Sequence, residues 1–228
     1  MDMKRLYFTV IILLSTIWSF PESKGQTLKN IILKQQIDTL YIFPSIGVIK
    51  CYYQGKLTPD DSLTYLFKES LNQIIPQTAN FKIVVLDNSY DLSDSLKKYF
   101  VNVIPRFSKM TPEAFSKIDI GEDFTRMIAP LSGKYFGIIF FDGFENQNYE
   151  KQMGQAVAFA FATAALTGGM YYALPVPEKP YFVTDVLIID KTENRFLFYK
   201  RRTQAGSPLS YDNIKKNYLK IFEKYTKN

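Results

Sequence analysis

The sequence predicts an α/β fold, a mixed β-sheet with helices packed on it, closed by a C-terminal β-hairpin and an amphipathic helix. Three observations lead there. Short β-branched and aromatic runs alternate with segments of helical period along the chain, the order of a sheet covered by helices. The runs Tyr181 to Asp190 and Arg195 to Lys200 flank a polar four-residue turn, the signature of a hairpin. Apolar residues make up 46% and aromatics 16% of 228 residues, too much for a disordered chain.

Taken in order, residues 1–25 read as a secretory signal and not as fold. Lys4 and Arg5 precede an apolar run from Leu6 to Phe20, and Pro21 ends it. Ser23 and Gly25 place small residues where a signal peptidase needs them, so cleavage before Gln26 is expected. The run holds 15 residues, short of the ~20 of a spanning helix; a retained anchor is the other reading. Residues 26–228 then form one α/β domain.

Leu40 to Tyr53 (LYIFPSIGVIKCYY) predicts a strand region, with Pro44 and Gly47 marking an edge, bulge or bend. Thr58-Pro59-Asp60-Asp61 predicts a helix start with Thr58 as cap and Pro59 at the first helical position. Leu63, Leu66, Phe67, Leu71, Ile74 and Ile75 follow at helical spacing, and Pro76 closes the helix. Phe81 to Leu86 predicts a strand ending at Asp87. Ser93 to Val103 predicts a helix broken at Pro105, and Met110-Thr111-Pro112-Glu113 starts another, although residues 88–134 give an indistinct pattern. Tyr135 to Phe141 predicts a buried strand ending in an Asp142-Gly143 turn. Tyr149 to Leu166 is alanine-rich and predicts a helix. Ser210 caps a last helix with Ile214, Tyr218, Ile221, Phe222 and Tyr225 on one face and Lys216, Lys220, Lys224 and Lys227 on the other.

Composition excludes several chemistries. With no histidine, no Ser-His-Asp or Cys-His arrangement and no imidazole ligand exist. The single Cys51 rules out an internal disulfide or a multi-thiolate zinc site. No phosphate-binding glycine loop, dinucleotide fingerprint or nucleophile elbow is present, and no cofactor is expected. Cys51 lies far from the cleavage position, so it is not the acylated cysteine of a lipoprotein; a buried, inert thiol is the expectation. A cysteine-poor exported chain fits a bacterial periplasm or envelope.

Three features are candidates for function. Asp87 and Asp142 each end a predicted strand, with Glu145 nearby, and clustered carboxylates can hold a hard cation or divide acid and base roles. Asp also ends strands simply by bonding the turn backbone. Residues 156–174 carry no charge and include Phe159, Phe161, Gly168-Gly169, Met170, Tyr171 and Tyr172. The first expectation for this stretch is a helix buried in the core; association with a partner or a second copy, and membrane contact, are the others. The third feature is basic. Residues 195–228 hold nine Lys and Arg against Asp212 and Glu223, with Lys200-Arg201-Arg202 after the hairpin. A solvated helix face is the first expectation for this stretch; attraction to the phosphates of lipid headgroups or nucleic acid is the other, and export argues against nucleic acid.

An apolar strand, a small-residue helix with Gly-Gly, then VTDVLIIDKTENRFLFYKRR and a closing amphipathic helix together resemble the bacterial envelope-assembly lipoprotein superfamily. That group includes the curli-secretion lipoproteins and the amino-terminal domain of TolB. The resemblance spans roughly residues 38–226 in element order and carries no catalytic residue. It implies an α/β sandwich and a non-enzymatic role in envelope assembly or transport, acting on an envelope protein or by self-association, with an anionic membrane surface as a further partner. The chain departs from the group in lacking a lipobox. The alternative reading is a carboxylate- or metal-dependent hydrolase using Asp87, Asp142 and Glu145.

Overall fold

The computed structural model describes residues 31–32, 37–53, 56–107, 109–115, 117–166 and 177–226. The strands are β1 (Ile31–Ile32), β2 (Thr39–Ile42), β3 (Ile46–Tyr53), β4 (Lys56–Pro59), β5 (Lys82–Val85), β6 (Tyr135–Glu145), β7 (Tyr181–Asp190) and β8 (Arg195–Ala205). The helices are α1 (Asp61–Ile74), α2 (Asp94–Phe107), α3 (Pro112–Phe115), α4 (Glu122–Ile128), α5 (Tyr149–Leu166) and α6 (Tyr211–Thr226). One mixed sheet runs β1-β8-β7-β6-β2-β5, with β3 also on β6 and β4 on β3.

β6 is the axis of the sheet. β7 runs antiparallel to it along ten residue pairs, from Tyr135↔Asp190 to Phe144↔Tyr181. Its other side is lined first by β2 and then by β3, both parallel to it. Leu40 pairs with Tyr135 and Ile46 with Phe140, so the Phe43-Pro44-Ser45 segment carries one residue more than β6 does. The predicted interruption at Pro44 is thus a bulge that lets one chain segment serve both halves of a long strand.

Alternation of side chains divides the core in two. On one face Leu40, Ile42, Ile49, Ile139, Phe141, Phe182, Val186 and Phe198 pack against Phe67 and Leu71 of α1 and Ile214, Tyr218 and Phe222 of α6. On the other, Phe43, Phe136, Ile138, Phe140, Leu187, Ile189, Phe196 and Tyr199 pack against Phe100 and Phe107 of α2, Phe115 of α3 and Phe124 of α4. The result is an α/β sandwich of three layers, with an aromatic-rich second core in which Phe107 lies 5.1–5.3 Å from Phe115, Phe196 and Tyr199.

Several expectations are corrected. Thr58 and Pro59 do not cap α1; they lie in β4, paired to Cys51 and Lys50. Asp60 is the cap, accepting from the Leu63 N–H at 2.9 Å, as a carboxylate can at a helix start. Leu66 is exposed on the outer face of α1. Pro105 does not break α2 but sits in its last turn. There it forfeits one hydrogen bond, to the carbonyl of Val101 on the solvent side. Asp142-Gly143 is no turn: β6 continues through it, because β3 and β7 pair with it on both sides. Gly143 fits there because a side chain would meet Phe182 Cβ at 2.7 Å. The hairpin strand β8 runs five residues past Lys200, to Ala205.

Candidate functional site: the projecting helix α5

β6 and β7 form a hairpin whose connection, residues 146–180, is opened into a long excursion containing α5. The two ends of that excursion are tied by Asn146, which is 3% exposed. Its side-chain amide donates to Gln152 Oε1 (3.0 Å) at the start of α5 and to the Glu178 carbonyl (3.1 Å) at the return. Its Oδ1 accepts from the Asn148 N–H at 3.3 Å. Next to it Glu145, 5% exposed, accepts from the Asn146 N–H (3.0 Å) and from the Ser207 hydroxyl, which belongs to the loop before α6. The base is therefore a hydrogen-bonded polar knot at the end of the sheet.

What the base carries is a helix of another kind. From Gln152 to Leu166 α5 has no charged residue. The expected burial in the core does not occur: Ala156 is the one fully buried residue among those described in α5. Phe159 is 53%, Phe161 55% and Leu166 86% exposed, and Val157 is exposed beside them. Gly154 has no neighbour within 4 Å of where a side chain would begin. α1, α2 and α6 each turn a row of four buried apolar residues to the sheet; α5 does not. Among the described residues, no helix is long and apolar enough to cross a membrane. Met170, Tyr171 and Tyr172 lie outside the described residues.

The three carboxylates are dispersed. Asp87 follows β5, which β2 separates from β6, about 10 Å away at two strand spacings. It accepts from the Ser89 hydroxyl and the Ser89 N–H (2.8 Å), and these bonds hold its carboxyl below the ordinary range. Asp142 is ion-paired to Lys50 at 2.7 Å. Glu145, three residues on along β6, points to the opposite face of the sheet. No group of three His, Cys, Asp or Glu able to hold a metal occurs among the described residues.

The basic pair is also divided. Arg201 and Arg202 are consecutive in β8, so they face opposite sides of the sheet. Arg201 approaches Asp185 at 3.9 Å, and Asp185 accepts from the Tyr199 hydroxyl at 2.7 Å. Lys200 is turned to α6, donating to the Lys220 carbonyl and, at 3.3 Å, to that of Ile221. Cys51 is half-buried in β3; burial, then Asp60 and Glu145, push its thiol up.

Sequence reasoning missed Asn146 and the Asp185–Tyr199 pair. The only signal for Asn146 was an Asn directly after a strand-ending Glu. For the pair, Asp185 stands alone as a charge inside an apolar strand.

No protein-family model matches the chain, and no protein of curated function matches its sequence. Its course through space is similar, distantly, to solved envelope proteins. The PelC dodecamer from Paraburkholderia phytofirmans matches with a TM-score of 0.38 at 7% identity over 84% of this chain and 89% of that one. The lipoprotein GNA1162 from Neisseria meningitidis gives 0.30 at 6% identity over 75% and 83%. The C-terminal domain of LpoB from Salmonella enterica gives 0.28 at 8% identity over 84% and 91%. The envelope-lipoprotein resemblance read from the sequence thus recurs as a distant likeness of structure, too low in score to carry a functional argument.

Proposed function

We propose that this chain is a non-catalytic accessory protein of the bacterial cell envelope, exported as one domain over residues 26–228, which works by binding through α5. The observation that carries this reading is an uncharged helix held out from the sheet on a clamped base, with Phe159, Phe161 and Leu166 in the open. Soluble proteins seldom leave so continuous an apolar surface uncovered. The leader at residues 1–25 supports the compartment. The hydrolase reading has no shared centre to rest on, since Asp87, Asp142 and Glu145 lie at separate places in the sheet.

The test is fractionation of the native host. The wild-type chain is expected in the envelope fraction, and Phe159→Lys with Phe161→Lys is expected to release at least tenfold more of it into the soluble fraction. Both positions are exposed, so the fold should survive, as circular dichroism will check. A wild-type chain free in the soluble fraction, or a folded double variant that stays with the envelope, contradicts the reading.

A further inference from the structure

The borders of the sheet are not alike. β4 is exposed along its length but carries Lys56 and Pro59. β8 carries Lys200, Arg201 and Arg202 directly after the two residues that β1 pairs. Charge and proline are the ordinary means by which a sheet edge is kept from pairing with another chain. β5 has neither past its first residue. Ile83, Val84, Val85 and Leu86 follow Lys82, and the next charge is Asp87. Among the described residues β5 has β2 on one side and no strand on the other. Ile83 is buried, while Val84, Val85 and Leu86 are only half-buried.

The ladder to β2 shows which backbone groups this edge offers. The Lys82 N–H donates to the Asp38 carbonyl at 3.1 Å, and the Leu86 N–H to that of Ile42 at 2.8 Å. Even-numbered residues therefore bond to β2, and the N–H and C=O of Ile83 and Val85 point away from it. An antiparallel neighbour bonds only between residues that both point outward. When β5 pairs with itself, Ile83 then faces Val85 of the second copy, and Val84 faces Val84 on the two-fold axis. Branched side chains meet branched side chains, a favourable cross-strand match. Lys82 falls opposite Leu86 and beside Asp87, whose carboxyl the Ser89 bonds hold below the ordinary range. Unlike charges thus meet at both ends. With Val85 on the axis instead, Ile83 would face Asp87; in a parallel pairing Lys82 would lie beside Lys82. The strand is complementary to itself in one register.

We propose that β5 is a homodimer edge, at which two copies of the chain join their sheets antiparallel about a two-fold axis at Val84. Each β5 has one open side, so the pairing closes at two copies. This contact is independent of the reading of α5.

The experiment uses the chain purified from its native host with Cys51→Ala, so that one introduced cysteine is the only thiol. A non-hydrogen-bonded pair holds its Cα atoms ~4.5 Å apart, within reach of a disulfide. Position 82 would lie about 13 Å from position 82 of the second copy, at ~3.3 Å per residue. On oxidation, Val84→Cys is expected to give at least fivefold more covalent dimer than Lys82→Cys. Sedimentation equilibrium of the Cys51→Ala chain is expected to show a reversible dimer. Val85→Pro removes one outward N–H and leaves the ladder to β2 in place, so it is expected to weaken that dimer at least tenfold with circular dichroism unchanged. Should it unfold, the comparison of positions 84 and 82 decides alone. A monomer at every concentration overturns the proposal. So does a dimer in which position 82 links as readily as 84, or a folded Val85→Pro that dimerises as tightly as its parent; either would assign the contact to another surface, such as α5.

Discussion

At the residue scale, two buried polar groups govern how the site is held. Asn146 spans the two ends of the excursion, with donors committed to Gln152 and Glu178. Asn146→Ala removes both part-buried hydrogen bonds, a loss of about 0.5–1.5 kcal/mol each. The expected outcome is that reduction in stability by urea unfolding, together with faster amide exchange across 147–166 than in β6 and β7. Uniform exchange with unchanged stability would remove its role as a clamp. Asp185 acts on stability through pH. Burial raises its carboxyl above the ordinary value of 3.8, against the opposing pull of the Tyr199 hydroxyl and Arg201. The folded chain thus holds this proton more tightly than the unfolded chain does, so its contribution favours folding at low pH and is lost as pH rises through the raised value. Asp185→Asn keeps an acceptor for Tyr199 and removes that dependence. Relative to wild type, the variant should be more stable at pH 7 than at pH 4 in paired thermal melts; an unchanged difference between the two would show that the group is not shifted.

At the scale of elements, what the sequence disclosed depended on how local the cause was. The helix of residues 61–74, the hairpin of β7 and β8 and the strand of β6 follow from periodicity, which burial enforces directly: Leu63, Phe67, Leu71 and Ile74 are buried at the spacing the pattern predicts. Errors arose where a distant partner decided. Thr58 and Pro59 look like a cap until β3 pairs with them. Asp142-Gly143 looks like a turn until β3 and β7 hold it straight from both sides. The site was half legible. Absence of charge drew attention to Phe159 and Phe161, but periodicity cannot say whether a helix apolar all round is buried or bare. That was settled by the base at Asn146, which is formed from residues 32 apart in sequence. The carboxylates failed as a group for a simple reason of geometry. Residues three apart on a strand face opposite ways, and Asp87 belongs to a strand on the far side of β2.

At the scale of the whole molecule, a three-layer sandwich presents one unusual end. The sheet is covered on both faces by helices that bury their apolar sides, while α5 exposes its own beyond the end where Phe144 and Tyr181 pair. The basic residues are divided, with Arg201 and Arg202 on opposite sides of β8 and Lys216 and Lys220 exposed on α6, so electrostatic attraction alone does not define a docking direction. The most direct test of this account is the accessibility of α5 where the protein works. With Cys51→Ala and Phe159→Cys, position 159 carries the only thiol and can be labelled with a membrane-impermeant maleimide, both in purified protein and in intact envelopes. The account predicts rapid labelling of the purified chain and at least tenfold slower labelling in the envelope. Equal rates in the two settings would show that α5 remains uncovered in the cell and would contradict its role as the binding element.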